Sequence, residues 1–428
     1  MVLRMEKAVI FTGLVKIDRN LVGTAIIYRR IAEILLRKGY RVTLVVPQET
    51  DLVDDGLEFR VYHRKKNQNL IDEAAVIVFG AYPPVEPLLY AYKKRKKIIT
   101  YFWSVAPIGS LEFKDAIDFQ KQNRLHQYIT VSYNLSLLLS DKVFCRDEEA
   151  KKLILGSLLS LGRINLKNYE ENKQLKNIIE AVPFGIETSS PRHTRDIYRG
   201  KLAGIGRDDF LLIWNGGIWN WNDGENLIRA MDLLKERNIR LIFQGFRHPD
   251  KNQLLSLEAQ KTLSLVEKLN LRDKNVFFVD QWIAHEERGN YLTEADVGVV
   301  TSPNIPEANF FLKTRVYDYL WAELPVILND SEAFAKVVLD NNLGLVAKTG
   351  DYQDLAEKIL KLYQDRNLPR QIRQSIKRFK QGISWEKTLV PIEKYLEKPE
   401  SLEDKYDRNN LLLRENIKLM MKLFKKLS

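Results

Sequence analysis

Short apolar runs alternate with stretches of helical periodicity along most of the chain. Ala8 to Thr12 is such a run; a loop with Gly13 and Gly23 follows, then Thr24 to Lys38 with apolar residues at helical intervals, then the run Arg41 to Val46. This order predicts a strand, a helix and a second strand, with Gly39 ending the helix just before the new strand starts. The pattern continues through Ala75 to Phe79, Lys97 to Trp103 and Lys142 to Cys145, which together predict a parallel sheet. Residues 188–194 carry Ser, Pro and His without a period and read as a linker. A second alternating series follows, with runs at Phe210 to Trp214, Arg240 to Phe243, Val276 to Val279, Val297 to Val300 and Val326 to Leu328. The fold class is therefore α/β, with two successive Rossmann-like parallel-sheet domains.

One segment concentrates candidate chemistry. Residues 307–325 read EANFFLKTRVYDYLWAELP and lie between two buried-strand patterns, so about Leu312 to Glu323 is the predicted crossover helix. Thr314 and Asp318 are four apart and Arg315 and Asp318 three apart, which puts these three on one face, while Val316 and Leu320 turn toward the sheet. Lys313 and Arg315 fall in the first turn, where unpaired N–H groups and the helix dipole favour an anion such as phosphate. Asp318, one turn deeper, is placed to accept hydrogen bonds from ribose hydroxyls. The same residues also suit a plain surface ion-pair set.

Two loops add to this set. Residues 215–224, NGGIWNWNDG, follow the first strand of the second series. Gly216 and Gly217 permit close backbone approach to a diphosphate, and Asp223 is a natural N-cap for the next helix. Trp219 and Trp221 suit stacking on a base or sugar, or bracing between domains. His248 follows the strand ending at Gln244 and is a candidate phosphate or acceptor contact, or a structural loop residue. In the first domain Gly23 is a candidate for an acceptor or phosphate loop, though no GxGxxG is present.

The 307–325 segment resembles the nucleotide-sugar segment of GT-B glycosyltransferases of the glycosyltransferase 4 (group 1) type. That pattern has two acids around a helix start, then a small-residue turn and Pro-Val. The second acid stands seven residues before the proline, here Asp318 before Pro325 in place of the usual Glu. The first would fall on Phe310 at the common spacing, and Glu307 replaces it from a longer loop. A subgroup with the same Glu, aromatic-pair, basic-Thr-Arg and Asp-Tyr-Leu-Trp-Ala order is the nearer likeness, and Val182 to Ile186 and the Trp-x-Trp-x-Asp loop resemble it too. Ile218 and Asp223 stand where the wider family has Arg and Lys for the donor phosphates.

The resemblance implies two Rossmann-like domains facing a cleft: 1–187 on the acceptor side, a linker over 188–208, 209–380 on the nucleotide-sugar side, and 381–428 as helices that cross back and end in a basic tail. It implies transfer of a sugar from a nucleotide-diphosphate sugar to a hydroxyl of a saccharide or lipid-linked acceptor, retaining and metal-independent, as in polysaccharide biosynthesis. Lys313 and Arg315 would hold the diphosphate, Asp318 the ribose, and Glu307 with Asp223 the sugar hydroxyls. Gly216, Gly217, Trp219, Trp221, His248 and Thr314 complete the donor side. A non-catalytic GT-B binding or assembly subunit is the alternative.

Composition narrows the setting. The 428 residues suit two domains, and 45% hydrophobic with 29% charged residues is a globular composition. A single cysteine, Cys145, allows neither an internal disulfide nor a cysteine zinc cluster and suits a reducing, cytoplasmic location. No HExxH occurs among the five histidines, which fits a chemistry without metal or other cofactor. The net charge of +11 favours an anionic partner, but scattered basic residues without an RNA- or DNA-reading motif argue against nucleic acid. In residues 402–427, Leu402, Tyr406, Leu413, Ile417, Met420, Phe424 and Leu427 form a stripe among lysines and arginines, so one helix is expected there. It suits an anionic membrane surface at the inner face of the membrane, packing on the first domain, or self-association.

Overall fold

In the computed structural model, whose described residues are 5–18, 23–53, 56–64, 66–103, 107–112, 118–247 and 255–428, the chain forms two units. The first contains residues 1–111, 119–184 and 388–428, the second 112–118 and 185–387.

The first unit is built on a seven-stranded parallel sheet. Its strands are β1 (Lys7–Phe11), β2 (Arg41–Val46), β3 (Leu57–Val61), β4 (Ala74–Phe79), β5 (Lys97–Phe102), β6 (Lys142–Cys145) and β7 (Ile179–Ala181), in the order β3-β2-β1-β4-β5-β6-β7. The central strands are buried nearly throughout, which is why they read as continuous apolar runs.

The second unit holds a six-stranded parallel sheet of β8 (Phe210–Asn215), β9 (Ile239–Gln244), β10 (Val276–Val279), β11 (Val297–Val300), β12 (Val326–Asn329) and β13 (Gly344–Ala347), ordered β10-β9-β8-β11-β12-β13. Each sheet reverses its strand order beside its first strand, between β1 and β4 and between β8 and β11. Doubly wound sheets bind ligands at the carboxyl ends of strands flanking such a reversal.

The segment 188–208 is not a bare tether. Glu294 accepts backbone N–H groups of Ile197, Tyr198 and Arg199, and Trp321 Nε1 donates to Ser189 O at 2.9 Å. The segment therefore lies fastened along the second unit.

Thr388 begins the return to the first unit. The tail corrects the expectation of a single helix: Glu403–Tyr406 is a 3₁₀ turn and Leu411–Leu427 a separate helix, with Asn410 capping the second by accepting from Leu413 N. The Asn409 and Asn410 gap in the stripe is the break, because an Asn side chain that caps a helix start cannot also sit in a helix interior. Leu413, Ile417, Met420 and Phe424 are buried with Leu135, Leu138 and Leu139 of the helix Phe119–Leu139. At about 1.5–3 kcal/mol for each fully buried apolar side chain, this packing is a large stabilising term. Those four residues face protein, so they are not a membrane-inserting surface. Among the described residues no helix is long and apolar enough to cross a membrane.

Candidate active site

Helix Thr314–Trp321 is placed on the second sheet by a close fit. Gly298 in β11 leaves room for Tyr319: a Cβ at this glycine would lie 2.3 Å from the ring. The Tyr319 hydroxyl then donates to Ile213 O at 3.0 Å and accepts from Asn215 N at 2.9 Å. These bonds tie the helix to the end of β8 and bring its first turn over the strand-order reversal. The helix is shorter than the predicted Leu312 to Glu323, with Lys313 at its N-cap in extended conformation.

Arg315 points across the reversal. Its Nη2 donates to Gly217 O at 2.8 Å, and its guanidinium lies over the Trp214 ring, 4.5 Å from the centroid. Gly216 has φ +93, in the left-handed region that glycine enters at little cost, and so turns the loop toward this group. Arg315 Nη1 is buried without a hydrogen-bond partner. Burial pulls the Arg315 pKa down, with Tyr319, Glu332 and Asp318 opposing. A buried guanidinium with a donor to spare is a site for an anion.

Lys313 is buried. It faces Glu332, a carboxylate that the sequence did not single out. Glu332 is buried and accepts a hydrogen bond from Ser302 Oγ; burial raises its pKa, while Lys313, the Ser302 bond and Arg315 pull it down. Its only sequence cue is its place just past the carboxyl end of β12. Glu307 is buried on the short helix Pro306–Phe310, which is held beside the Glu332 loop by Ala333 N donating to Ala308 O at 3.2 Å.

Asp318 does not pair with Arg315. Arg288 Nε stands 3.3 Å from Asp318 Oδ1, and Asn215 Nδ2 donates to Oδ2 at 3.2 Å. Tyr291 in turn donates to Asn215 Oδ1 at 3.2 Å. Burial raises the Asp318 pKa, against the pull of Arg288 and Arg315. Thr314, on the first turn, is half-buried.

In the glycine loop, the Trp219 ring lies against Gly217 and stacks on Trp221, with centroids 5.7 Å apart. Asp223 caps the helix Gly224–Leu233 by accepting from Asn226 N at 3.0 Å, and burial raises its pKa. Glu258, also missed in sequence, accepts from Gly224 N at 3.0 Å and Glu225 N at 3.3 Å. Burial first, then Asp223 and Glu225, push its pKa up to about 7.

Lys313, Arg315, Gly216, Gly217, Trp219 and Asp318 thus gather around the ends of β8 and β11, with Glu307 and Glu332 beside β12. His248 lies outside the described residues; its neighbour Arg247 pairs with Asp280 at 3.2 Å. Gly23 begins helix Gly23–Arg37 of the first unit. His193, Asp196 and Glu294 form one cluster of possible metal ligands among the described residues, but Glu294 already receives three backbone N–H groups there.

Residues 206–379 match the family model for glycosyl transferases group 1. No curated protein matches the chain. Among solved structures, sucrose-phosphate synthase from Thermosynechococcus elongatus is similar over 92% of this chain and 99% of its own, at 14% identity and TM-score 0.62. Anabaena HepE, solved in complex with UDP-glucose, covers 91% and 99% at 13% identity and TM-score 0.63. WaaG, a glycosyltransferase involved in lipopolysaccharide biosynthesis, covers 92% and 100% at 14% identity and TM-score 0.61. The fold is GT-B. The match to the group 1 glycosyl transferase model lies within the second unit.

Proposed function

We propose that the protein moves a sugar from a nucleotide-diphosphate sugar to a hydroxyl of a saccharide or lipid-linked acceptor. The bond from the anomeric carbon to the diphosphate breaks, the acceptor oxygen takes its place, and the acceptor proton passes to the diphosphate or to solvent. The leaving group gains negative charge as that bond breaks, so catalysis rests largely on stabilising it. Arg315 carries the proposal: its buried, partnerless Nη1 at a helix start beside Gly216 and Gly217 suits a diphosphate oxygen. Lys313 adds a second positive charge, Asp318 takes the ribose hydroxyls, and Glu307 with Asp223 takes those of the sugar. In this reading the enzyme is hexosyltransferase-like, of the glycosyltransferase 4 type, retaining, and without a metal. The first unit holds the acceptor, and the lysine-rich face of the tail is what remains for an anionic membrane surface.

UDP-sugars are the donors to test first, because HepE was solved with UDP-glucose. Replacing Arg315 by Ala removes charge-assisted bonds worth roughly 1.5–3 kcal/mol, or about 10- to 150-fold in affinity for UDP. Unchanged UDP affinity in calorimetry would sink the assignment. A second reading, a sugar-nucleotide-binding or assembly subunit without turnover, draws on Ile218 and Asp223 at positions where the family carries basic side chains. Tight donor binding with no sugar transfer or donor hydrolysis across a broad acceptor panel favours that reading.

A further inference from the structure

Glu332 stands within the second unit between the ends of two neighbouring strands. Ser302, just past β11, donates its hydroxyl to Glu332 Oε1. Asn329, the last residue of β12, accepts from Glu332 N at 3.0 Å, and its Oδ1 accepts from Ser302 N at 3.0 Å. The Glu332 residue is 5% exposed. It is thus a carboxyl group fixed at the carboxyl edge of the sheet, and the cations acting on it are Lys313 and Arg315.

We propose that Glu332 takes up a proton when the donor diphosphate binds, exchanging one of the site's own negative charges for the ligand's, an inference that rests on the proposed function above. The two cations that favour ionised Glu332 are the two assigned to the diphosphate. Burial already holds the Glu332 carboxyl above its ordinary value, and Lys313, the Ser302 bond and Arg315 draw it back. Once ligand oxygens draw on Lys313 and Arg315, that opposition weakens and the ligand's own charge repels the carboxylate. The partner that stays, Ser302, is neutral, and its hydroxyl can still donate to the carbonyl oxygen of a protonated carboxyl. The other acids are placed differently. Asp318 keeps Arg288 at 3.3 Å and the Asn215 amide at 3.2 Å when an anion arrives. Glu258 is held by the Gly224 and Glu225 N–H groups, with Asp223 and Glu225 as its charged neighbours. Asp330, on the loop of Glu332 itself, accepts from the Thr349 N–H at 3.0 Å and hydroxyl at 2.6 Å. Glu307 is buried on the neighbouring helix Pro306–Phe310, on the side assigned to the sugar hydroxyls.

The test is calorimetry of UDP-glucose on the full chain from pH 6 to pH 8, in buffers of different ionisation enthalpy. The phosphates of this ligand are diesters that do not titrate over that range, so the protons exchanged belong to the protein. Their number is read from the dependence of the observed enthalpy on the buffer. Uptake is expected, and affinity is expected to fall as pH rises by up to about tenfold per unit, the limit for one proton. Glu332→Gln keeps an oxygen for the Ser302 hydroxyl and removes the charge. It should abolish the uptake, flatten the profile and, with one repulsion gone, bind at least about threefold tighter than the unmutated chain at pH 8. A folding defect would weaken binding instead. Ser302→Ala withdraws the hydrogen bond that favours the ionised form and should move the fall in affinity to higher pH. UDP-glucose binding without proton uptake, or with uptake that survives Glu332→Gln, overturns this inference alone, as does a profile that Ser302→Ala leaves unmoved. Absence of UDP-glucose binding overturns the donor assignment on which it rests.

Discussion

Replacing Lys405 by Met should destabilise the first unit more than any single change at the candidate site. Lys405 and Asp141 are both fully buried, with Nζ 2.8 Å from Oδ2, and Lys405 also donates to Leu139 O at 3.0 Å. Beside them Arg163 pairs with Asp404, donates from Nη2 to Ser140 O at 2.9 Å, and stands among the Asn165 and Asn168 amides that bind the same carboxylate. These bonds fasten the 3₁₀ turn Glu403–Tyr406 to the start of β6. Removing one partner of a buried pair costs about 3–5 kcal/mol, because the other charge remains in a poor solvent. Asp141 would keep the N–H groups of Ile98 and Leu402, each at 2.7 Å, which argues for the lower end. At roughly 2–4 °C per kcal/mol for a unit of this size, Tm should fall by about 6–12 °C in thermal unfolding followed by circular dichroism. Adding Asp141→Asn should recover part of the loss by removing the orphaned charge. A fall of less than about 2 °C for Lys405→Met refutes the reasoning, since it would mean that the pair contributes no more than a surface one.

Three further outcomes follow from single groups. Glu323 sits at φ +58, and glycine there would relieve about 1–2 kcal/mol of left-handed strain; it would also strip Lys380, a buried ammonium 2.7 Å from Glu323 Oε1, so Glu323→Gly should lower stability in urea unfolding, and a gain would show that strain dominates. The Glu258 pKa is raised to about 7 from an ordinary 4.5, so the folded state binds the extra proton between those values and this group costs stability as pH rises through them; the Tm of Glu258→Gln relative to the unmutated chain should climb from pH 5 to pH 8, and a flat difference refutes the shift. Arg288→Gln should weaken binding of inorganic pyrophosphate by freeing Asp318 to draw on Arg315, and Asp318→Asn in that background should restore it; calorimetry that finds pyrophosphate affinity indifferent to Arg288 counts against this.

The strands that could be read from sequence are those buried on both faces. Val76 to Phe79 and Val297 to Val300 have no exposed residue, and such runs carry their own signature. The three unanticipated strands, β3, β7 and β13, all lie at sheet edges, with half-buried or exposed positions, and two have four residues or fewer. Helical spacing on its own gave the shared face of Arg315 and Asp318. It gave nothing about their partners, because Arg288, Asn215 and Gly217 reach that helix from other elements. Glu332 was invisible for the same reason: its meaning lies in the approach of the β12 loop to Lys313. In the tail the stripe was correct at Leu413, Ile417, Met420 and Phe424, but amphipathicity does not say whether protein or membrane covers the apolar side. The neighbouring helix Phe119–Leu139 covers it.

The partner assigned to Asp318 decides what the helix start can do. Arg315 and Asp318 are three residues apart on one face, the spacing at which an acid and a base commonly neutralise each other. Had they paired, the first turn would present little positive charge to a ligand. Instead Arg288, held over the Trp321 ring at 4.0 Å from its centroid, takes one oxygen of Asp318, and Asn215 takes the other. Arg315 is turned toward Gly217 and over Trp214, with one N–H direction left unsatisfied. On the other side Glu332 offsets part of the charge of Lys313 and Arg315 while its own bond to Ser302 fixes where it stands. The site thus keeps two buried cations near a glycine turn without a fully bonded acid on Arg315. Leaving a buried donor unsatisfied costs about 1–3 kcal/mol, a penalty that an arriving anion would relieve.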